Sequence, residues 1–153
     1  MVSRILIDGD ACPVINSIIK MTQDTGIFVI IIRSFSHFST AAFPNHVQTY
    51  YVDDGPDAVD YKVLMLSQPD DIVITQDYGL ASLALNKARA VIHHNGTLYS
   101  STTIDHLLAQ RHHAAHLRKS NKRTKGSPPI TENDILKFEE RFQKLLTMLN
   151  LEE

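Results

Sequence analysis

The chain has 153 residues, 43% of them hydrophobic and 21% charged, with a net charge of −2, values ordinary for one soluble domain with its own core. No run approaches the roughly 18 to 20 apolar residues that span a bilayer, and the amino terminus lacks the basic-then-apolar pattern of a signal peptide, so no membrane contact is expected. The single cysteine, Cys12, excludes an internal disulfide and fits a cytoplasmic location.

Residues 3–8 are predicted as strand one, an apolar run that stops at Asp8. Pro13 suits the first turn of the helix that follows, Val14, Ile15, Ile18, Ile19 and Met21 give it an apolar face, and Gly26 stops it. Residues 27–33 form strand two, and Ser34 to Asn45 reads as a loop or short irregular helix. Strand three is Val47 to Val52, closed by the turn residues Asp53-Asp54-Gly55-Pro56. A helix over 57–67, strand four over 71–76, a helix over 78–88, a short strand five over 90–93 and a helix over 102–118 follow. The polar, basic stretch Ser120 to Pro129 reads as a linker. Thr131, with Asp134 three residues on, then caps a last helix whose apolar residues Ile135, Phe138, Phe142, Leu145, Leu146 and Leu149 recur at helical spacing.

Strands alternating with helices predict βαβ units, a mainly parallel five-stranded sheet and a three-layer α/β/α sandwich. The expected organisation is a domain over 1–118, a basic linker over 119–130, and a carboxyl-terminal helix over 131–153 packed on the domain or on a partner subunit of a homodimer. If the strand order is 3-2-1-4-5, strands one and four meet at the switch point, where open α/β sheets bind ligands.

Carboxylates stand at that edge. Asp8 and Asp10 flank Gly9, and two residues apart in a strand share a face, while Gly9 lets the backbone approach a ligand closely. Asp10 has a second reading as the cap of the first helix. Asp57 and Asp60 lie three apart in a helix's first turn, as ligands or as charges favoured by the helix dipole. Thr75 and Asp77 close strand four, and Asp77 also suits a helix cap. Acids gathered in one place repel one another unless a cation sits among them. Oxygen ligands favour Mg2+ or Mn2+.

Charge is unevenly spread. Residues 1–105 carry 11 acids and 6 bases, whereas residues 106–131 carry no acid and 6 bases, Arg111, Arg118, Lys119, Lys122, Arg123 and Lys125. Such a segment is expected either to contact the phosphates of RNA or another nucleic acid, or to be a solvated linker. His37, among the aromatics and serines of residues 34–39, is a further candidate contact. Cys12 at a helix start would have a lowered pKa, but no base stands by it and a small buried residue is the simpler reading.

The segments Ile7-Asp8-Gly9-Asp10-Ala11-Cys12-Pro13, Gly55-Pro56-Asp57-Ala58-Val59-Asp60 and Asp71-Ile72-Val73-Ile74-Thr75-Gln76-Asp77, with Leu80-Ala81 and the late Ser127-Pro128-Pro129, resemble the YaiI/YqxD family of bacterial proteins of uncharacterised function. Gly9 stands where the family more usually has Ala, and Tyr78-Gly79 where it has Ile-Pro. The resemblance implies kinship with PIN and NYN nuclease-like domains, which hold magnesium or manganese on acids after strand one, in a central helix and after strand four. Carried over, these are Asp8, Asp57 or Asp60, and Asp77. The expectation is a metal-dependent ribonuclease with Asp8, Asp60 and Asp77 as ligands and Asp10 or Asp57 completing the site. One rival is a haloacid-dehalogenase-type phosphatase with Asp8 as nucleophile, although Cys12 or Pro13 stands where its motif has Thr or Val. The other is a non-catalytic RNA-binding or regulatory module.

Overall fold

A computed structural model describes residues 2–119 and 129–151. In chain order the elements are β1 (Arg4–Asp8), α1 (Ile15–Thr22), β2 (Phe28–Ser34), β3 (Val47–Val52), α2 (Ala58–Leu66), β4 (Asp71–Ile74), α3 (Tyr78–Ala84), β5 (Ala90–Ile92), α4 (Ser101–Lys119) and α5 (Glu132–Leu151). Short 3-10 turns occupy Gly9–Ala11 and Phe35–His37. The five strands pair in parallel in the order β3-β2-β1-β4-β5, the order on which the meeting of strands one and four depends. No helix among the described residues is long and apolar enough to cross a membrane.

The inner strands are apolar on both faces because both faces are covered. Ile5, Ile7, Val29, Ile31, Ile72 and Ile74 face α1 and the α5 residues Phe138, Phe142, Leu145, Leu146 and Leu149. Leu6, Ile30, Ile32 and Val73 face Val59 and Val63 of α2, Leu80, Ala81 and Ala84 of α3, and Ile104 of α4. The last helix therefore shares one core with α1. Thr131 and Asp134 start it reciprocally, each backbone N–H donating to the other's side chain, at 2.9 and 3.2 Å. Arg141 ties it to the loop after β5 through Asn95 O at 2.9 Å.

Several boundaries shift. β4 ends at Ile74, two residues early, because Thr75 and Asp77 bond within the turn that starts α3. Pro13 precedes α1 rather than entering it, since the Gly9–Ala11 turn and Cys12 stand between strand and helix. α4 runs through Lys119, and residues 120–128 of the expected linker lie outside the described residues.

Phe142 is fully buried between sheet and α5, whereas Leu136 on the same helix is 62% exposed. Phe142→Ala is expected to cost about 3–5 kcal/mol and Leu136→Ala about 0.5 kcal/mol or less, read by urea unfolding. Equal small losses at both positions would mean that α5 does not share the core in solution.

Candidate functional site

The register between the central strands places the acids. Ile7 of β1 pairs with Ile74 of β4, so the chain leaves both strands side by side, at Asp8 and Thr75. Asp8 follows Leu6 by two residues and so shares its face of the sheet, toward α2 and α3. Thr75 is buried, and its hydroxyl donates to Asp8 Oδ2 at 2.8 Å while accepting the Asp77 N–H at 3.0 Å. Asp77 Oδ1 accepts from the N–H groups of Gly79, at 2.8 Å, and Leu80, at 3.1 Å, and so caps α3. Asp60 reaches the same place from the first turn of α2, close enough to feel the charges of Asp77 and Asp8.

This crowding is unfavourable to charge. Burial, together with the charges of Asp77 and Asp8, pushes the half-buried Asp60 carboxyl up to about 7. Asp8 is raised as well, first by burial and then by Asp77 and Asp10, against the lowering effect of the Thr75 hydroxyl. The buried acid at the opposite end of β4 is treated differently. Asp71 receives a bidentate Arg4 guanidinium at 3.0 and 2.7 Å and the Gln68 N–H at 2.9 Å. Among the described residues, no Lys, Arg or His forms an ion pair with Asp8, Asp60 or Asp77.

The other sequence candidates are distributed around this core. Asp10 neither shares Asp8's strand face nor caps α1, because the 3-10 turn carries it across to the end of β2. There it accepts from Ser34 N at 2.9 Å and Ser34 Oγ at 2.8 Å, and His37 Nδ1 lies 3.2 Å away. Gly9 does approach something closely, but it is β2: a Cβ there would lie 2.7 Å from Ile31, 2.8 Å from the Arg33 stem and 2.9 Å from Ile32 O. Asp57 is exposed and forms no cap hydrogen bond; it precedes α2 with φ +65°. Thr75 and Asp77 share a turn rather than a strand face. Burial pushes the Cys12 thiol up to about 11, the opposite of an activated nucleophile. Arg111 is exposed on α4, distant in sequence from the acids; the Arg118 and Lys119 side chains and all of Lys122, Arg123 and Lys125 lie outside the described residues.

Sequence reasoning missed a cleft of about 950 Å3 on the α1 and α5 side of the same edge, lined by Arg33, His93 and His94 among others. Arg33 and the two histidines follow or close strands at the edge where Asp8 closes β1, and that position was the available signal. Burial lowers His93 to about 4 and lowers His94 also, so both rings are neutral at pH 7.

An all-oxygen, mutually repelling set fits a hard divalent cation in chemistry. In position it is incomplete. Among the described residues, no three His, Cys, Asp or Glu side chains stand ready to hold one ion.

The electrostatics set a pH dependence. Unfolded carboxyls titrate near 4, whereas folded Asp60 titrates near 7. Between these values the fold holds more protons than the unfolded chain. The Asp60 contribution to metal-free stability is therefore fully present below about pH 4 and is lost as pH rises through about 7. The loss is about 1–2 kcal/mol once solvent screening is discounted. Asp60→Asn is expected to raise the EDTA-treated protein's Tm at pH 8 and flatten the profile. Asp77→Ala is expected to lower stability by about 1 kcal/mol at pH 5, where only the cap is lost. A lower Tm for Asp60→Asn at pH 8 would mean that Asp60 is held by its contacts rather than strained by its neighbours.

Residues 6–148 match the family described as "Uncharacterized BCR, YaiI/YqxD family". UPF0178 protein SH2212 of Staphylococcus haemolyticus (strain JCSC1435) is 56% identical over 147 residues, 96% of this chain and 99% of that protein. UPF0178 protein SSP2038 of Staphylococcus saprophyticus is 57% identical over 150 residues, 98% of this chain and 97% of that protein. A UPF0178 protein of Staphylococcus aureus (strain Newman) is 58% identical over 144 residues, 94% of this chain and 95% of that protein. No solved structure matches the chain. With a family match that spans nearly its whole length and relatives more than half identical to it, the chain belongs to the YaiI/YqxD family.

Proposed function

We propose that the protein is a divalent-metal-dependent phosphodiesterase acting on RNA, a PIN-like nuclease in the sense of the resemblance drawn from its motifs. The observation that carries this reading is the contrast between the two ends of β4. Asp71 is neutralised by Arg4, while Asp8, Asp60 and Asp77 approach one another from three elements and, among the described residues, no cationic side chain pairs with them. An architectural role is served by Asp77 as a cap, but it gives no reason for Asp8 and Asp60 to stand beside it at an electrostatic cost.

Asp8, Asp60 and Asp77 would hold Mg2+ or Mn2+. A bound ion there supplies an activated water and offsets charge on the phosphoryl group. The protein's own contribution is positional. Thr75 orients Asp8 and the Asp77 backbone together, and the α3 cap fixes one Asp77 oxygen. With Asp60 titrating near 7, its proton is lost close to neutrality, so ligand capacity rises with pH over the range in which metal-free stability falls.

Two features support RNA. Exposed Phe35 and Phe38 flank Tyr51, with ring centroids 5.9 and 5.1 Å from it, beside the acidic edge. Such rings take unstacked bases. The basic residues from Arg111 to Lys125 supply phosphate contacts. Asp10 is committed to Ser34 and His37, which weighs against the phosphatase reading, where the second acid must be free to move a proton.

Calorimetry with each ion is expected to show binding that Asp8→Asn weakens. Cleavage of a fluorescent oligoribonucleotide is expected to need the ion and to fall about a hundredfold or more in Asp8→Asn, beyond the loss typical of an outer partner. Neutralising Arg118, Lys119, Lys122 and Arg123 together is expected to flatten the salt dependence of RNA binding. Metal binding without any cleavage, or no binding at millimolar ion, would overturn the nuclease reading.

A further inference from the structure

The cleft on the other side of the acidic edge has features of its own. Arg33, next to last in β2, lies on the face of Ile31 and Val29, opposite to Asp8, and its stem runs across Gly9. Its Nε is shut from solvent and meets no acceptor among the described residues. A buried donor without a partner is unfavourable, and a guanidinium edge is shaped for two oxygens of one phosphate. The same cleft is lined by Phe38, which is 61% exposed and stands five residues from Arg33 across the Phe35–His37 turn.

The cleft also holds two acids, each already taken up by hydrogen bonds. Asp10 is engaged by Ser34 and His37, and Asp134 is engaged by Thr131 at the start of α5. Asn95 Oδ1 accepts the Thr97 N–H, so the amide NH2 group is the end left to donate. The volume of about 950 Å3 is ample for one nucleotide.

We propose that this cleft binds a nucleotide unit, with its phosphate on the Arg33 guanidinium and its base against Phe38. Turning the Nε edge of Arg33 into the cleft gives it the phosphate oxygen it lacks. The unit is either a free nucleoside monophosphate or one nucleotide of an RNA strand; both present a phosphate ester beside a planar base. The strand case rests on the nuclease reading, since the same strand would then cross the edge between the cleft and Asp8. The free-nucleotide case does not.

The test is calorimetry of the full chain in EDTA, so that no result depends on a metal. The probes are adenosine monophosphate, adenosine, inorganic phosphate and a short oligoadenylate. Adenosine monophosphate is expected to bind more tightly than either adenosine or phosphate. Arg33→Gln is expected to weaken it about tenfold or more, and Arg33→Lys less, since Lys keeps the charge and loses the fork. Phe38→Ala is expected to weaken adenosine monophosphate and leave phosphate unchanged. Circular dichroism and melting establish that each variant is folded. Tighter binding of the oligoadenylate identifies a strand subsite, and no gain over the monophosphate identifies a free-nucleotide site. Asp8→Asn is expected to retain nucleotide binding. Binding that persists where no cleavage is found would sink the nuclease reading and leave this one standing. Adenosine monophosphate affinity unchanged in Arg33→Gln, or an absence of nucleotide binding at millimolar concentration, overturns the cleft proposal alone.

Discussion

The parallel pairing of β1 with β4 is the interaction on which the other features depend. The two strands are separated by two other strands and two helices in sequence, yet their register is set by burial on both faces. Ile5, Leu6 and Ile7 meet Ile72, Val73 and Ile74 with no exposed atom on either side. A slip of one residue would send each side chain to the wrong layer. Fixing that register also fixes where the chain leaves the sheet, and therefore puts Asp8 next to Thr75. Asp77 follows from the turn that Thr75 begins, and Asp60 follows from α2 packing on Leu6 and Ile32 through Val59 and Val63.

The two ends of this strand pair show opposite solutions to the same electrostatic problem. A carboxylate placed at the end of a buried strand loses water. At the amino end, Asp71 is compensated by Arg4, a neighbour in the pairing register, and by a backbone N–H. At the carboxyl end, the compensation is partial. Thr75 and the α3 amides hold single oxygens, and the remaining repulsion lifts Asp8 and Asp60. Sites that give up stability in this way are common where a ligand restores it. The cleft beyond Gly9 repeats the pattern with the opposite charge, through a guanidinium Nε that meets no acceptor among the described residues.

The motif reading succeeded where local geometry and tertiary geometry agree. Thr131 with Asp134, and Asp77 before Tyr78, are short-range devices, and both bond as their spacing implies. It failed where a turn intervened. Asp8-Gly9-Asp10 looks like a strand with two acids on one face, but the 3-10 turn at Gly9–Ala11 sends the second acid to β2. Gly9 looked like room for a ligand and is instead room for Ile31 and Arg33. Asp57 looked like a first-turn residue sharing a face with Asp60 and instead stands before α2 with a positive φ and no side-chain cap bond.

The sequence by itself determined the strand and helix alternation, the mainly parallel layered sheet, and the acids that end β1 and stand at the starts of α2 and α3. These follow from hydrophobic period and from residues whose preferences act over a few positions. Only the tertiary structure decided which acids meet. It set Asp60 rather than Asp57 beside Asp77, tied Asp10 to Ser34, paired Asp71 with Arg4, and placed Arg33 in a cleft on the far side of the sheet. Those outcomes depend on register and on which face a strand end presents, and both are settled by packing between segments far apart in the chain, which no local pattern records.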